Sequence, residues 1–429
     1  MKRLILLTII LCIAFTAQSQ STEEIRSFDA KYMTELYRVY PIENIDKTLS
    51  PAPKGYKPFY ISQLSRHGSR WHSGTSIYKK TLPLLQSAYD ADELTELGKR
   101  YLLDCKMLAA DAENRNGELT QVGMEQHRGI ARRMVHNFPE IFSTAKGKAC
   151  RLDCRSTIVP RCILSMASAV SEYTRLVPDI EVRMESSEDN AYLKAYAGLN
   201  SIKQDAIPLS DSLRRAYMPD PQPFMNRIFR ENSSVASKID AKDFMYNVFM
   251  LNAIKDSAPI AGIDPNKYIF TEDEQAAVWR ASNIRRYALT GPSKPYLSAI
   301  IEGIKPFVRN VIECADRAIA EGDYQATLQY AHDVTIIPFV KFMGIECGNL
   351  TTDDYANVGY KWRINEVTPM ATNIQLIFYR NKQNDILVKI MHNEREQIID
   401  PTIAKPVEGV YYQWSELREY MLAKSIMKR

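Results

Sequence analysis

The run Leu64-Ser65-Arg66-His67-Gly68-Ser69-Arg70-Trp71-His72 sets one imidazole between two guanidiniums. Phe59-Tyr60-Ile61, aromatic and β-branched, predicts the end of a strand just upstream. Gly68 lets the backbone turn sharply and come close to a ligand. Two Arg forks around one point suit a tetrahedral dianion, because each guanidinium donates paired hydrogen bonds to anionic oxygens. With a phosphate held there, His67 is placed as an in-line nucleophile. An imidazole that forms a covalent phosphoryl intermediate splits one hard displacement into two easier ones. Its attacking nitrogen must be unprotonated, so a backbone carbonyl is expected to hold the other ring nitrogen as the donor.

Two further segments supply what this run lacks. A short strand is expected over 148–153, a turn at Arg155-Ser156-Thr157 and a helix from Pro160, with Arg161 in its first turn. There free amides and the helix dipole already favour an anion. Ala326, Leu328 and Tyr330 alternate as in a strand, and His332-Asp333 follows before a helix that begins near Val334. Three strand ends thus carry Arg-His-Arg, Arg and His-Asp. Open α/β sheets bind ligands outside the carboxyl ends of their strands. Asp333 completes the chemistry, as a group able to protonate a leaving alkoxide.

The chain that positions these groups has 429 residues and a formal charge of +4. Lys2 and Arg3, an apolar run from Leu4 to Phe15 and Ala17-Gln18-Ser19 predict a signal peptide over 1–19, hence a periplasmic or secreted protein. That run is too short to span a bilayer, and no later stretch is long enough to be a membrane helix. Removing Lys2 and Arg3 takes +4 to +2 (4 − 2), so anion binding must come from local clusters, and no nucleic-acid footprint is expected. Beyond Cys12 lie Cys105, Cys150, Cys154, Cys162, Cys314 and Cys347. Disulfides are permitted in such a compartment, but no pairing is assigned and no zinc spacing is present.

Residues 20–58 lack periodicity and read as a lead-in that wraps the surface. Apolar spacing predicts helix over 78–110, and Thr120 is the expected N-cap of a helix to about Phe138, with His127 and His136 as ordinary structural histidines. Over 183–292 strand-like runs give way to helical spacing. This stretch reads as a helical cap insertion between core segments 20–182 and 293–429. It carries Lys194, Lys203, Arg214, Arg215, Arg227 and Arg230, any of which could meet further phosphates. Strands over 373–379 and 386–391 form a hairpin, and a helix over 414–427 ends the chain.

These residues resemble the histidine phosphatase superfamily in its secreted acid-phosphatase branch, which includes phytases and multiple inositol polyphosphate phosphatases. Arg66-His67-Gly68-Ser69-Arg70 is similar to the nucleophile motif. Leu119-Thr120 with Gly123 matches a helix start, and Arg155-Ser156-Thr157 through Arg161 and Ser165 the segment of the third phosphate-binding Arg. His332-Asp333 matches the His-Asp pair. The resemblance implies His67 as nucleophile and Asp333 as proton donor, with Arg66, Arg70, Arg161 and His332 holding phosphate and no metal or other cofactor. It implies a three-layer α/β/α core with a mixed, mostly parallel sheet and a helical cap. Two positions depart. His72 stands where the family usually has Pro, either as a solvent-facing loop residue or as a substrate contact, the former preferred. His332-Asp333-Val334 stands where many inositol polyphosphate phosphatases have His-Ala-Glu, which is closer to phytases and general acid phosphatases. The expectation is a secreted phosphomonoesterase acting on a small phosphorylated molecule, inositol polyphosphates such as phytate ahead of sugar phosphates. A non-catalytic binding protein for phosphorylated ligands is the reading from another class. Oligomeric state is not readable.

Overall fold

A computed structural model describes residues 34–42, 45, 49–143, 149–260 and 263–426; the expected signal peptide over 1–19 lies outside them. Its centre is a mixed sheet in the order β3-β2-β4-β1-β5-β6-β7, with β8 also paired to β6. The strands are β1 (Lys57–Arg66), β2 (Arg151–Ser156), β3 (Glu181–Ser186), β4 (Ala326–Ala331), β5 (Asn373–Arg380), β6 (Ile386–His392), β7 (Arg395–Glu396) and β8 (Tyr411–Gln413). β3, β2, β4 and β1 pair in parallel, whereas β5 turns antiparallel to β1 and β6 antiparallel to β5.

Alternation along each strand feeds two cores. Tyr60, Leu64, Leu376 and Phe378 face one hydrophobic cluster. Helices α9 (Leu297–Ala320), α10 (Asp333–Phe342) and α11 (Trp414–Ser425) cover that face. Ile61, Leu152, Leu328 and Ile377 face the other, covered by α3 (Gln121–Asn137) and α4 (Pro160–Leu176). This is the three-layer core expected. β4 is buried along its whole length, as a central strand covered on both faces must be.

A third cluster is built mainly from helices. α1 (Ser76–Asp90) and α2 (Glu96–Asp111) pack there with α6 (Gln222–Ile228), α7 (Ala241–Asn252) and α8 (Glu272–Thr290). α5 (Tyr196–Tyr217) lies against α8 and α9. Among the described residues of 187–292 the regular elements are all helices.

Local expectations need four corrections. The helix over 78–110 is two helices, because Asp92 adopts a left-handed φ of 55° and Thr95 caps a new one by accepting from Gly98 N. β2 runs on through Arg155 and Ser156, which pair in register with Gln329 and Tyr330, so the turn starts only at Thr157. β3 pairs with β2 as far as Ser186, past the start expected for the cap at Arg183; likewise α1 and α2 bury their apolar sides in the helical cluster, not on the sheet. Residues 34–40 do not wrap the surface: Glu35, Leu36, Tyr37 and Tyr40 are all buried.

The six cysteines from Cys105 to Cys347 are free thiols, five of them buried, so no disulfide among them contributes to stability. Among the described residues no helix is long and apolar enough to cross a membrane. The purified protein is therefore expected to keep the same thermal midpoint, within about 1 °C, with and without a reductant. A clear drop on reduction, read by differential scanning fluorimetry, would contradict the free-thiol assignment, since a native disulfide contributes about 2–4 kcal/mol.

Candidate active site

The register of the parallel strands brings the expected residues together. β4 lies between β1 and β2, with Ala331 opposite Arg66 and Tyr330 opposite Ser156, so the three carboxyl ends are level. His67 N donates to Ala331 O at 3.0 Å and Thr157 N to Tyr330 O at 3.2 Å. The turn after β1 is then clamped onto the start of α3. Thr120 caps that helix, accepting from Gly123 N, and its hydroxyl donates to Ser69 O at 3.1 Å and Ser257 O at 2.7 Å. Gln126 accepts from Ser69 N at 2.9 Å, and Ser165 Oγ on α4 accepts from Gly68 N at 3.1 Å. A Cβ on Gly68 would sit 2.5 Å from the carbonyl oxygen of Gly123. Two backbones meet there, which only glycine allows.

His67 is buried, and its Nδ1 lies 3.0 Å from Gly68 O. A carbonyl accepts only, so Nδ1 carries the proton and Nε2 keeps its lone pair. Burial, then the charges of Arg66, Arg70, Arg161 and His332, hold the imidazole pKa well below its ordinary value. Its neutral form is thereby favoured.

Around it stand guanidiniums with donors to spare. Arg66 is fully buried, and Nη1 donates to Leu36 O at 2.9 Å and Thr368 O at 2.6 Å. Its Nε and Nη2 have no hydrogen-bond partner, and neither do Nε of Arg70 and Nε of Arg161. Arg70 Nη1 is fixed on Trp71 O at 2.7 Å. Burial pushes the Arg66 pKa down to about 10 against the pull of Asp333. Buried charged donors left unpaired are costly, and an anion relieves them.

His332 is the N-cap residue of α10, and its ring lies 5.7 Å from that of His67, centroid to centroid. Its Nε2 is 3.1 Å from Thr157 Oγ1, while burial and Arg161 bring its pKa to about 4. Asp333 opens α10. Burial alone would raise its pKa, but Arg66, Arg286, His332 and Arg70 outweigh that and leave it below the ordinary carboxylate value. All six expected residues thus converge on one site.

Other participants carried no local signal. Residues 34–40 run into the site: Leu36 O holds Arg66, and the Tyr37 ring lies 5.2 Å below the Arg70 guanidinium. Arg286 of α8 acts on Asp333, and Tyr196 stacks on His332 at 6.1 Å. His72 is no solvent-facing loop residue. It is buried, with Nδ1 2.9 Å from Tyr37 Oη and Nε2 3.2 Å from Leu251 O, and so ties residues 34–40 to α7. The cations of 183–292 expected to meet further phosphates are mostly engaged: Lys194 with Glu188, Arg214 and Arg215 with Asp243, Arg227 with Glu274 and Arg230 with Asp92. Lys203 is exposed. Among the described residues no cluster of three or more His, Cys, Asp or Glu is arranged to hold a metal ion.

No protein-family model matches the chain, and no curated protein matches it by sequence. Solved structures do match. The multiple inositol polyphosphate phosphatase of Bifidobacterium longum, in complex with phosphate, superposes with a TM-score of 0.77 at 19% identity, over 92% of this chain and 98% of that one. A phytase from D. castellii gives 0.67 at 14% identity, over 92% and 85%. Hafnia alvei phytase gives 0.55 at 11% identity, over 87% and 98%. The chain has a histidine acid phosphatase-like fold.

The glycine contact gives a test of this geometry. Gly68→Ala is expected to weaken the binding of inorganic phosphate at least tenfold and to destabilise the fold by about 1–3 kcal/mol, because backbone must move to admit the methyl group. Calorimetric titration and thermal denaturation would show both.

Proposed function

We propose that the protein is a secreted phosphomonoesterase of the histidine acid phosphatase type, hydrolysing inositol polyphosphates through a phosphohistidine. One observation carries the reading. Unpartnered guanidinium nitrogens of Arg66, Arg70 and Arg161 surround an imidazole whose Nε2 is unprotonated and unobstructed by a hydrogen bond. Phosphoryl transfer needs chiefly positioning and charge stabilisation, and this arrangement offers both. In the first step His67 Nε2 attacks phosphorus while the P–O ester bond breaks, and Asp333 gives its proton to the leaving alkoxide. In the second, Asp333 carboxylate takes a proton from water. That water attacks the phosphohistidine, releases phosphate and restores neutral His67. Arg66, Arg70, Arg161 and His332 hold the equatorial oxygens, and no step calls on a metal.

The fold supports this reading, and the phosphatases and phytases that share it support inositol phosphates as the substrate class. The sequence of residues 1–19 supports secretion. We read residues 187–292, with α1 and α2, as a cap over the site.

The pH dependence follows from the two shifts. His67 is lowered, so loss of its neutral form begins only well below pH 6.5. Asp333 is lowered below 3.8, so the free protein holds it ionised at working pH. The proton it donates must then arrive with the substrate, as the monoanion of a phosphate whose second pKa is about 6. Accordingly kcat/KM should be flat from about pH 4.5 to 5.5 and fall about tenfold per unit above about pH 6. Phosphate release from phytate should survive EDTA, vanish in His67→Ala and drop about 10²–10⁴-fold in Asp333→Asn. Acid quench of the wild type with a ³²P-labelled monoester should trap label on His67. Tight binding of phytate with no release from it or from glucose 1-phosphate would instead make this a binding protein.

A further inference from the structure

We propose that Glu35 is a positioning residue that, through its ion pair with Arg286, sets how readily Asp333 holds the proton it donates. The proposal rests on the reading of Asp333 as the acid of the same site. Glu35 is fully buried and sits at a φ of 53°, a left-handed conformation that a side-chain-bearing residue rarely adopts. Such an outlier persists only where the surroundings hold it. Its Oε1 pairs with Arg286 Nε and accepts from Ser282 Oγ at 3.1 Å, while Oε2 accepts from Leu36 N at 3.1 Å. Both oxygens of this carboxylate are thus held in place against the guanidinium.

The charges around Asp333 fall into two groups. Arg66 and Arg70 follow β1, and Arg161 belongs to α4. All three have unpartnered donors to offer a bound anion, whose two charges would offset part of theirs. Arg286 comes from α8 and is already engaged by Glu35. His332, Tyr196 and Cys162 also face Asp333, and all three are neutral at working pH. Around Arg286 itself stand Glu35, Asp333 and the Tyr246 ring. Among the cations acting on Asp333, Arg286 is the one paired with a carboxylate of another segment, Glu35. Glu35 is the group that balances it. Without Glu35 the full guanidinium charge would hold Asp333 ionised at the moment it must carry a proton.

A purely structural role, fixing residues 34–40 to α8, predicts lost stability and an unmoved titration. The two are separated by calorimetric binding of sulfate to the full chain from pH 4 to 8. Sulfate keeps its two charges throughout, so any pH dependence belongs to the protein. In the wild type affinity should fall as pH rises through the titration of Asp333 in the complex, and Asp333→Asn should flatten that limb. Glu35→Gln should move the limb down by about one pH unit and Arg286→Gln should move it up by about one, whereas Glu35→Asp should leave it near the wild type. A limb that Asp333→Asn removes but that stays within roughly 0.3 unit in both Glu35→Gln and Arg286→Gln overturns the proposal and leaves the anion site standing. A wild type that binds no sulfate overturns the site reading and this proposal together. Should Glu35→Gln fail to fold by circular dichroism, Arg286→Gln alone decides, and no upward shift overturns the proposal.

Discussion

The arrangement depends on like charge kept close together out of water. Arg66, Arg70 and Arg161 repel one another, and each lowers the His67 pKa. Two unit charges a few ångströms apart interact by about 3–4 kcal/mol at an effective dielectric of 20. The fold offsets that cost in three ways. Backbone carbonyls of Leu36, Thr368 and Trp71 take part of the donor capacity. Asp333 supplies a counter-charge. The remaining donors are left open for an anion, whose arrival would offset the cost of burying them unpaired. The same charges favour neutral His67, so the crowding that leaves donors open for an anion also suits the imidazole to the nucleophilic role proposed for it.

Holding such a cluster requires a frame that cannot relax. The parallel β1-β4-β2 register levels the three strand ends, and pairing slipped by one residue would turn each side chain to the opposite face. α3 adds a second constraint, because its capped first turn meets the loop of Gly68 and Ser69 backbone to backbone. The Leu119-Thr120 and Gly123 pattern therefore bears on the site through its contacts with Gly68 and Ser69. Its work is to fix where Arg70 begins.

What the sequence made legible was what is local. Arg66, His67 and Arg70 lie in one run, Arg161 follows a helix-start proline, and His332-Asp333 ends an alternating strand, so each could be read within its own window. The carbonyl partner of His67 followed from the chemistry of an imidazole nucleophile. Glu35, Tyr37 and Arg286 were not legible, since their roles arise from contacts with residues far along the chain and residues 34–40 have no periodicity. His72 was misjudged for a related reason. A polar residue after a motif reads as solvated, yet Tyr37 and Leu251 satisfy both its nitrogens from distant segments. The boundary after β2 was missed because strand length depends on the partner strand, and β4 carries the pairing through Ser156.

The contrast between core and cap cations bears on how a polyanion is discriminated. At the centre guanidinium donors are unpaired, so a phosphate gains their full attraction without breaking any existing contact. In the helical region Arg214, Arg215, Arg227 and Arg230 already hold carboxylates, and a second phosphate must compete with Asp243, Glu274 or Asp92 for them. For the exposed pairs of Arg215 and Arg230 such exchange is close to neutral, because a solvated ion pair contributes only about 0–1 kcal/mol, whereas Arg214 and Arg227 are held in partly buried pairs that resist it. On the function proposed above, affinity is therefore concentrated on the phosphoryl group that His67 would attack.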